Sequence, residues 1–148
     1  MRARARDLGS APCRLSGVNV AVDRVHGIVV VGLAQMSVSD WLVIHNSLNE
    51  VLHGIVPVGD TREVLGVSAK QARTAMLPSR DPSLGSRERY PEEVSITLPV
   101  AGAIVRSITI AIREICPKCY RTRLGIAQSY AESVREQIAS VLEQIPRM

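Results

Sequence analysis

Cys116-Pro-Lys-Cys119 is the one cysteine pair in this chain whose spacing can do chemistry. Two thiols three residues apart can exchange with a disulfide or supply two ligands to zinc. Thiol exchange favours a first cysteine at a helix N-terminus, where the dipole stabilises the thiolate, and here the motif follows the end of a long helical stripe. Zinc usually takes four ligands, and only Cys13 and the three histidines remain to complete a set. The expectation is therefore a loop with two ordinary thiols, and no cofactor. His45, Asn49 and His53 recur every four residues and share one polar helix face. Lacking a further strong ligand in register, they are expected to face solvent or an interface.

Two acid and base pairs stand at matching places. Glu50 and Glu114 each lie near the end of a helical stripe, and Arg62 and Arg123 each lie in the turn that follows. An acid at a helix C-terminus opposes the macrodipole, so an arginine partner would favour keeping it there. The expected structural ion pairs are Glu50–Arg62 and Glu114–Arg123. Residues 61–76, Thr-Arg-Glu-Val-Leu-Gly-Val-Ser-Ala-Lys-Gln-Ala-Arg-Thr-Ala-Met, can be read as a helix-turn-helix with Gly66 at the turn and Ser68 as the second cap. Lys70, Gln71, Arg73 and Thr74 would then face a DNA major groove. The equivalent segment further on, Gln128 to Glu136, brings acids toward where phosphates would lie. There is no glycine-rich phosphate loop, nucleophile elbow or His-Glu-x-x-His, so the chain is not expected to be an enzyme.

The elements that carry these residues read as an internal repeat. Ile44, Leu48, Glu50 and Val51 align with Ile108, Ile112, Glu114 and Ile115, and Leu65-Gly66-Val67-Ser68 aligns with Leu124-Gly125-Ile126-Ala127. Ile28 to Leu33 and Val94 to Leu98 are β-rich runs ahead of each stripe. Trp41, Ile44, Leu48, Val51, Leu52 and Ile55 mark a first helix entered after Ser37 or Ser39. Ile104, Ile108, Ile112 and Ile115 mark a second, with Pro99 in its first turn. Val134, Ile138, Val141 and Ile145 extend the second copy in a final helix. The fold expected is α+β and mostly helical, a tandem duplication of strand, long helix, turn and short helix with pseudo-twofold packing. Its parts are a basic, poorly ordered head (1–27), copy one (28–76), a Pro- and Ser-rich linker (77–93) and copy two (94–148). Met36 is an alternative start of translation, which would remove the head and the first strand.

Ser47-Leu-Asn-Glu-Val-Leu-His-Gly54 with Leu65-Gly-Val-Ser-Ala-Lys-Gln-Ala72, and Tyr120-Arg-Thr-Arg-Leu-Gly-Ile126 in the second half, resemble a group of small uncharacterised bacterial proteins. In that group a helix ends Ala-Leu-Asn-Glu-Val-Cys-Asn-Gly and is followed by an aromatic-x-Thr-Arg-Leu-Gly turn. Here each copy is degenerate, with Leu52 and His53 in place of Cys and Asn. The resemblance covers about half the chain and implies no known activity.

Composition narrows the function classes. The 148 residues suit one domain, and 46% hydrophobic with 22% charged residues is globular rather than disordered. Aromatics are 3%, with no Phe, so a base-stacking RNA-binding sheet is excluded and the core is aliphatic. No run is long enough to cross a bilayer. Three cysteines and no secretory signal suggest a cytoplasmic setting. The net charge of +4 sits mostly in residues 1–35, with five arginines against two aspartates, whereas residues 36–148 hold 13 basic and 12 acidic groups. That near-neutral body weighs against a nucleic-acid-binding domain, and the small size and lack of catalytic motifs favour a non-enzymatic protein-interaction module, antitoxin- or immunity-like, with an unknown protein partner and homodimerisation left open. The alternatives are a helix-turn-helix DNA-binding protein and a zinc-binding or redox protein using Cys116 and Cys119.

Overall fold

Val18, Val20 and Val22 alternate with Asn19, Ala21 and Asp23, and His26-Gly27 follows within a few residues. The computed structural model, which describes residues 18–55, 60–76 and 93–145, turns that pattern into a hairpin. Strand β1 (Asn19–Val25) pairs antiparallel with β2 (Ile28–Ala34), closing on Val25 opposite Ile28. His26 and Gly27 both have positive φ, 52° and 77°, as a two-residue turn matched to strand twist requires. The expectation of a head without structure over 1–27 is thus corrected from residue 19 onward, because the alternation in its last residues buries Val20 against Leu33. Residues 1–17, most of the expected linker (77–92), and 56–59 and 146–148 lie outside the described residues.

Strand β3 (Glu93–Thr97) joins the other side of β2, also antiparallel, giving the order β1-β2-β3. Val20, Val31, Leu33 and Ile96 form its buried face. Leu98, expected at the end of this strand, instead opens a helix, because Pro99 follows at a position where a first helical turn tolerates it.

Helix α1 (Val38–Glu50) starts at Ser37, whose Oγ accepts from the Asp40 amide at 3.1 Å while Asp40 Oδ2 accepts from the Ser37 amide at 2.9 Å. The other Asp40 oxygen accepts from the Tyr130 hydroxyl at 2.7 Å, so this fully buried carboxylate also ties in the last helix. A wider π turn, Val51–Ile55, carries α1 onward. Short helices α2 (Thr61–Leu65) and α3 (Ala69–Thr74) follow. After β3 come α4 (Leu98–Glu114), α5 (Pro117–Leu124) and α6 (Gln128–Glu143). Helix α4 runs through the middle, packed on α1, α6 and the sheet. The core is aliphatic as composition demands, with Ile44, Leu48, Ile104, Ile108 and Ile138 fully buried around Trp41 and Tyr120. Each such side chain contributes about 1.5–3 kcal/mol by leaving water.

Counted from their N-caps, Ser37 and Thr97, the two long helices bury the same positions. Trp41 matches Ala101, Val43 matches Ala103, Ile44 matches Ile104, Ser47 matches Ser107 and Leu48 matches Ile108, all buried. Large side chains on α1 therefore correspond to alanines on α4. This register sets Ile44 beside Ile104 rather than Ile108 and gives Glu50 and Glu114 different places. Each helix pair after a long helix turns at a glycine in the left-handed region, Gly66 (φ 81°) and Gly125 (φ 75°). The carbonyls before those glycines are bound crosswise. Asn46 Nδ2 on α1 donates to Leu124 O at 2.7 Å, and Arg106 Nη1 on α4 donates to Leu65 O at 2.8 Å.

Candidate functional site

The cysteine motif lies where α4 ends and α5 begins. Ile115, with extended backbone (φ −93°, ψ 130°), stops α4, and Cys116 is the N-cap of α5 with Pro117 in its first turn. Pro117 lacks an N–H to lose there, so it both ends one helix and starts the next. The expectation that the motif belongs to a helix end is therefore incomplete: Cys116 also stands at a helix N-terminus. Tyr120 and Leu124, 1% and 0% exposed, anchor α5 to the core and leave Cys116 and Cys119 on the outside. The Cys119 amide donates to Cys116 O at 2.8 Å, closing the first turn.

Cys116 makes no full side-chain cap to this helix, yet its surroundings favour the thiolate. The Lys118 amide above all, with the Cys119 thiol and amide, draws the Cys116 thiol below the ordinary cysteine range, against a small opposing effect of desolvation. From Ile115 to Ala131 the chain carries Lys118, Arg121 and Arg123 and no acid. Lys118, Arg121 and Arg123 are all exposed. Beneath them the Tyr120 phenol is pushed up by burial, opposed by the Ser47 hydroxyl and reinforced by Glu132. Among the described residues no group of three His, Cys, Asp or Glu side chains gathers as a metal site.

The expected ion pairs form differently. Arg123 pairs with Glu50, and Glu114 pairs with its neighbour Arg113 at 2.8 Å. Neither Glu50–Arg62 nor Glu114–Arg123 is the arrangement found, because the turn after α5 docks on α1, as the Asn46–Leu124 bond shows, and carries Arg123 to Glu50. Arg62 lies exposed on α2. The π turn keeps the helix going past Glu50, so that carboxylate is not at the helix terminus at all.

Residues 61–76 do form two helices about Gly66, with Ala72 buried and Lys70, Gln71, Arg73 and Thr74 exposed. Two of those four are already engaged locally. Gln71 Oε1 accepts from the Ser68 amide at 3.0 Å in a capping box, and Thr74 Oγ1 donates to Gln71 O at 2.6 Å. His45 is half-buried and Asn49 and His53 are exposed, along the outer face of α1 and its π turn. No helix among the described residues is long and apolar enough to cross a membrane. Compared with known proteins, the chain matches no family model, no curated protein and no solved structure.

Proposed function

We propose that this chain is a non-enzymatic protein-interaction module that binds its partner on the outer face of the sheet. One observation supports the reading. That face is laid out by Ala21, Val30, Gly32 and Ala34, all half-buried, with Ser95 and Thr97 exposed beside them. Val25 and Ile28, 47% and 56% exposed, extend it to the hairpin tip. Small side chains let a second surface approach the backbone closely, and an apolar patch of this kind on a soluble fold is a common mark of association. Its charges are the acids Asp23 and Glu93, so the partner that fits is a protein surface with an apolar centre and a basic margin.

Gly32→Arg tests the reading. A Cβ at Gly32 meets nothing nearer than Ala21 O at 3.9 Å, so the fold tolerates the change while the long cation blocks the face. The expected result is unchanged thermal stability with loss of the partner recovered on the wild-type chain. A partner retained by Gly32→Arg would overturn the assignment.

DNA binding through α3 is a second reading, favoured by the exposure of Lys70 and Arg73 and the absence of acids from Val64 to Met76. Salt-sensitive duplex binding abolished by Lys70→Glu with Arg73→Glu would support it, and binding that ignores both changes would dismiss it. The same chain is read as a tandem duplication packed about a pseudo-twofold axis. The matched burial of α1 and α4 and the crosswise Asn46 and Arg106 bonds support this. A superposition of the two halves that needs a rotation far from a half-turn would reject it.

A further inference from the structure

The geometry points to a second, chemical role: Cys116 and Cys119 form a dithiol that exchanges with a negatively charged disulfide, Cys116 attacking and Cys119 resolving. Both cysteines are exposed at the start of α5, Cys116 as its N-cap and Cys119 within its first turn. Side chains three apart on a helix have Cβ atoms about 5–6 Å apart, whereas a disulfide brings them to about 3.8 Å. The gap closes by side-chain rotation at Cys116, whose N-cap backbone (φ −52°, ψ 132°) is non-helical although its carbonyl accepts the first hydrogen bond of α5. Cys119 lies within the first turn, its amide already bound to Cys116 O, and is the less free of the two.

The step balances as follows. The Cys116 thiolate attacks one sulfur of the substrate disulfide, forming a Cys116–substrate disulfide and expelling the first substrate thiolate. Cys119 gives up its proton to solvent and attacks the Cys116 sulfur, expelling the second. The protein dithiol is oxidised by two electrons, and the substrate disulfide is reduced to two thiols.

The charge of the substrate follows from the groups around the site. Glu50 is paired with Arg123 and Glu114 with Arg113, and Glu132 is near Tyr120 beneath α5. Lys118 and Arg121 are exposed on α5 within two residues of Cys119, and they favour an anionic disulfide, whether a small acidic molecule or an acidic protein segment.

The test uses the full-length reduced chain, with Cys13→Ser to silence the third thiol. It is mixed separately with oxidised glutathione, with an acidic peptide dimerised through a disulfide, and with cystamine, which is cationic. Intact-mass measurement and alkylation mapping are expected to show loss of two hydrogens and a Cys116–Cys119 disulfide. The anionic reagents should react at least about threefold faster than cystamine at low ionic strength, a difference that shrinks in high salt. Which anionic reagent is faster distinguishes the small from the protein source. Cys119→Ser should accumulate the mixed disulfide on Cys116, and Cys116→Ser should slow the reaction. Two persisting thiols, or initial attack by Cys119, would overturn the dithiol role. Equal rates, or a faster reaction with cystamine, would overturn the charge preference alone.

Discussion

At the residue scale, Tyr120 is the buried polar group that most constrains the candidate site. Among the described residues its hydroxyl and that of Ser47 are both buried without a hydrogen-bond partner of normal geometry, though Ser47 is close enough to oppose the rise in the phenol's pKa. An unpartnered buried hydroxyl costs stability that a phenyl ring does not. Tyr120→Phe is therefore expected to leave stability within about 1 kcal/mol of wild type or raise it, while Tyr120→Ala costs about 3–5 kcal/mol through lost contacts and a cavity. Urea titration of the two variants checks this. Burial also raises the phenol's pKa in the folded state, so above pH ~10 the unfolded chain loses its tyrosine proton first and stability falls as pH rises. Tyr120→Phe should remove that part of the alkaline loss. The Cys116 thiol has the opposite sign: its lowered pKa predicts alkylation that reaches its plateau at lower pH than that of an ordinary exposed thiol.

At the element scale, the two glycine turns have the same backbone and different neighbours. Both Gly66 and Gly125 hold positive φ, where an added Cβ is strained by about 1 kcal/mol or more. A Cβ at Gly66 would stand 2.6 Å from Arg106 Nη1, whereas one at Gly125 meets Asn46 Nδ2 only at 4.0 Å. Gly66→Ala must therefore push Arg106 off the Leu65 carbonyl, at the cost of a charge-assisted hydrogen bond, and Gly125→Ala need not disturb Asn46. The prediction is that Gly66→Ala destabilises more than Gly125→Ala by about 1–3 kcal/mol. In an Arg106→Ala background the two substitutions should become nearly equal. Denaturant melts of the four variants read the difference directly.

At the scale of the whole molecule, the hairpin over residues 19–34 matters more than the charge of the segment it lies in suggests. Among the described residues, a chain beginning at Met36 would keep every helix and lose β1 and β2, leaving β3 unpaired. Val20, Val31 and Leu33 would no longer cover the core, and Ile96 would have no sheet to sit in. Such a chain is expected to lose cooperative thermal unfolding, and a circular dichroism melt that stays as sharp as that of the full chain would overturn this.

Much of the architecture is legible in the one-dimensional pattern because it depends on local periodicity. The stripes of α1, α4 and α6, the cap at Ser37, the early Pro99 and the glycine turns each follow from side-chain spacing or backbone preference within a few residues. β1 is equally written in the Val18–Val22 alternation and the His26-Gly27 turn, although the arginines ahead of it give the segment the composition of a charged head. Cys116 shows the same kind of local information misdirected, since Cys-Pro after a helical stripe marks a new helix start as well as an old helix end.

What sequence could not decide was which half touches which. Glu50, Arg62, Glu114 and Arg123 stand at suggestive distances along the chain, but an ion pair depends on distance in space. The docking of each glycine turn on the opposite long helix carries Arg123 to Glu50 and leaves Glu114 to Arg113. By itself the sequence determined the buried stripes of α1, α4 and α6, the glycine turns and the near neutrality of the body, all set by neighbours in the chain. The tertiary structure alone decided the crosswise contacts and the exposure of both thiols. Those depend on how separately formed elements cover one another's apolar surfaces.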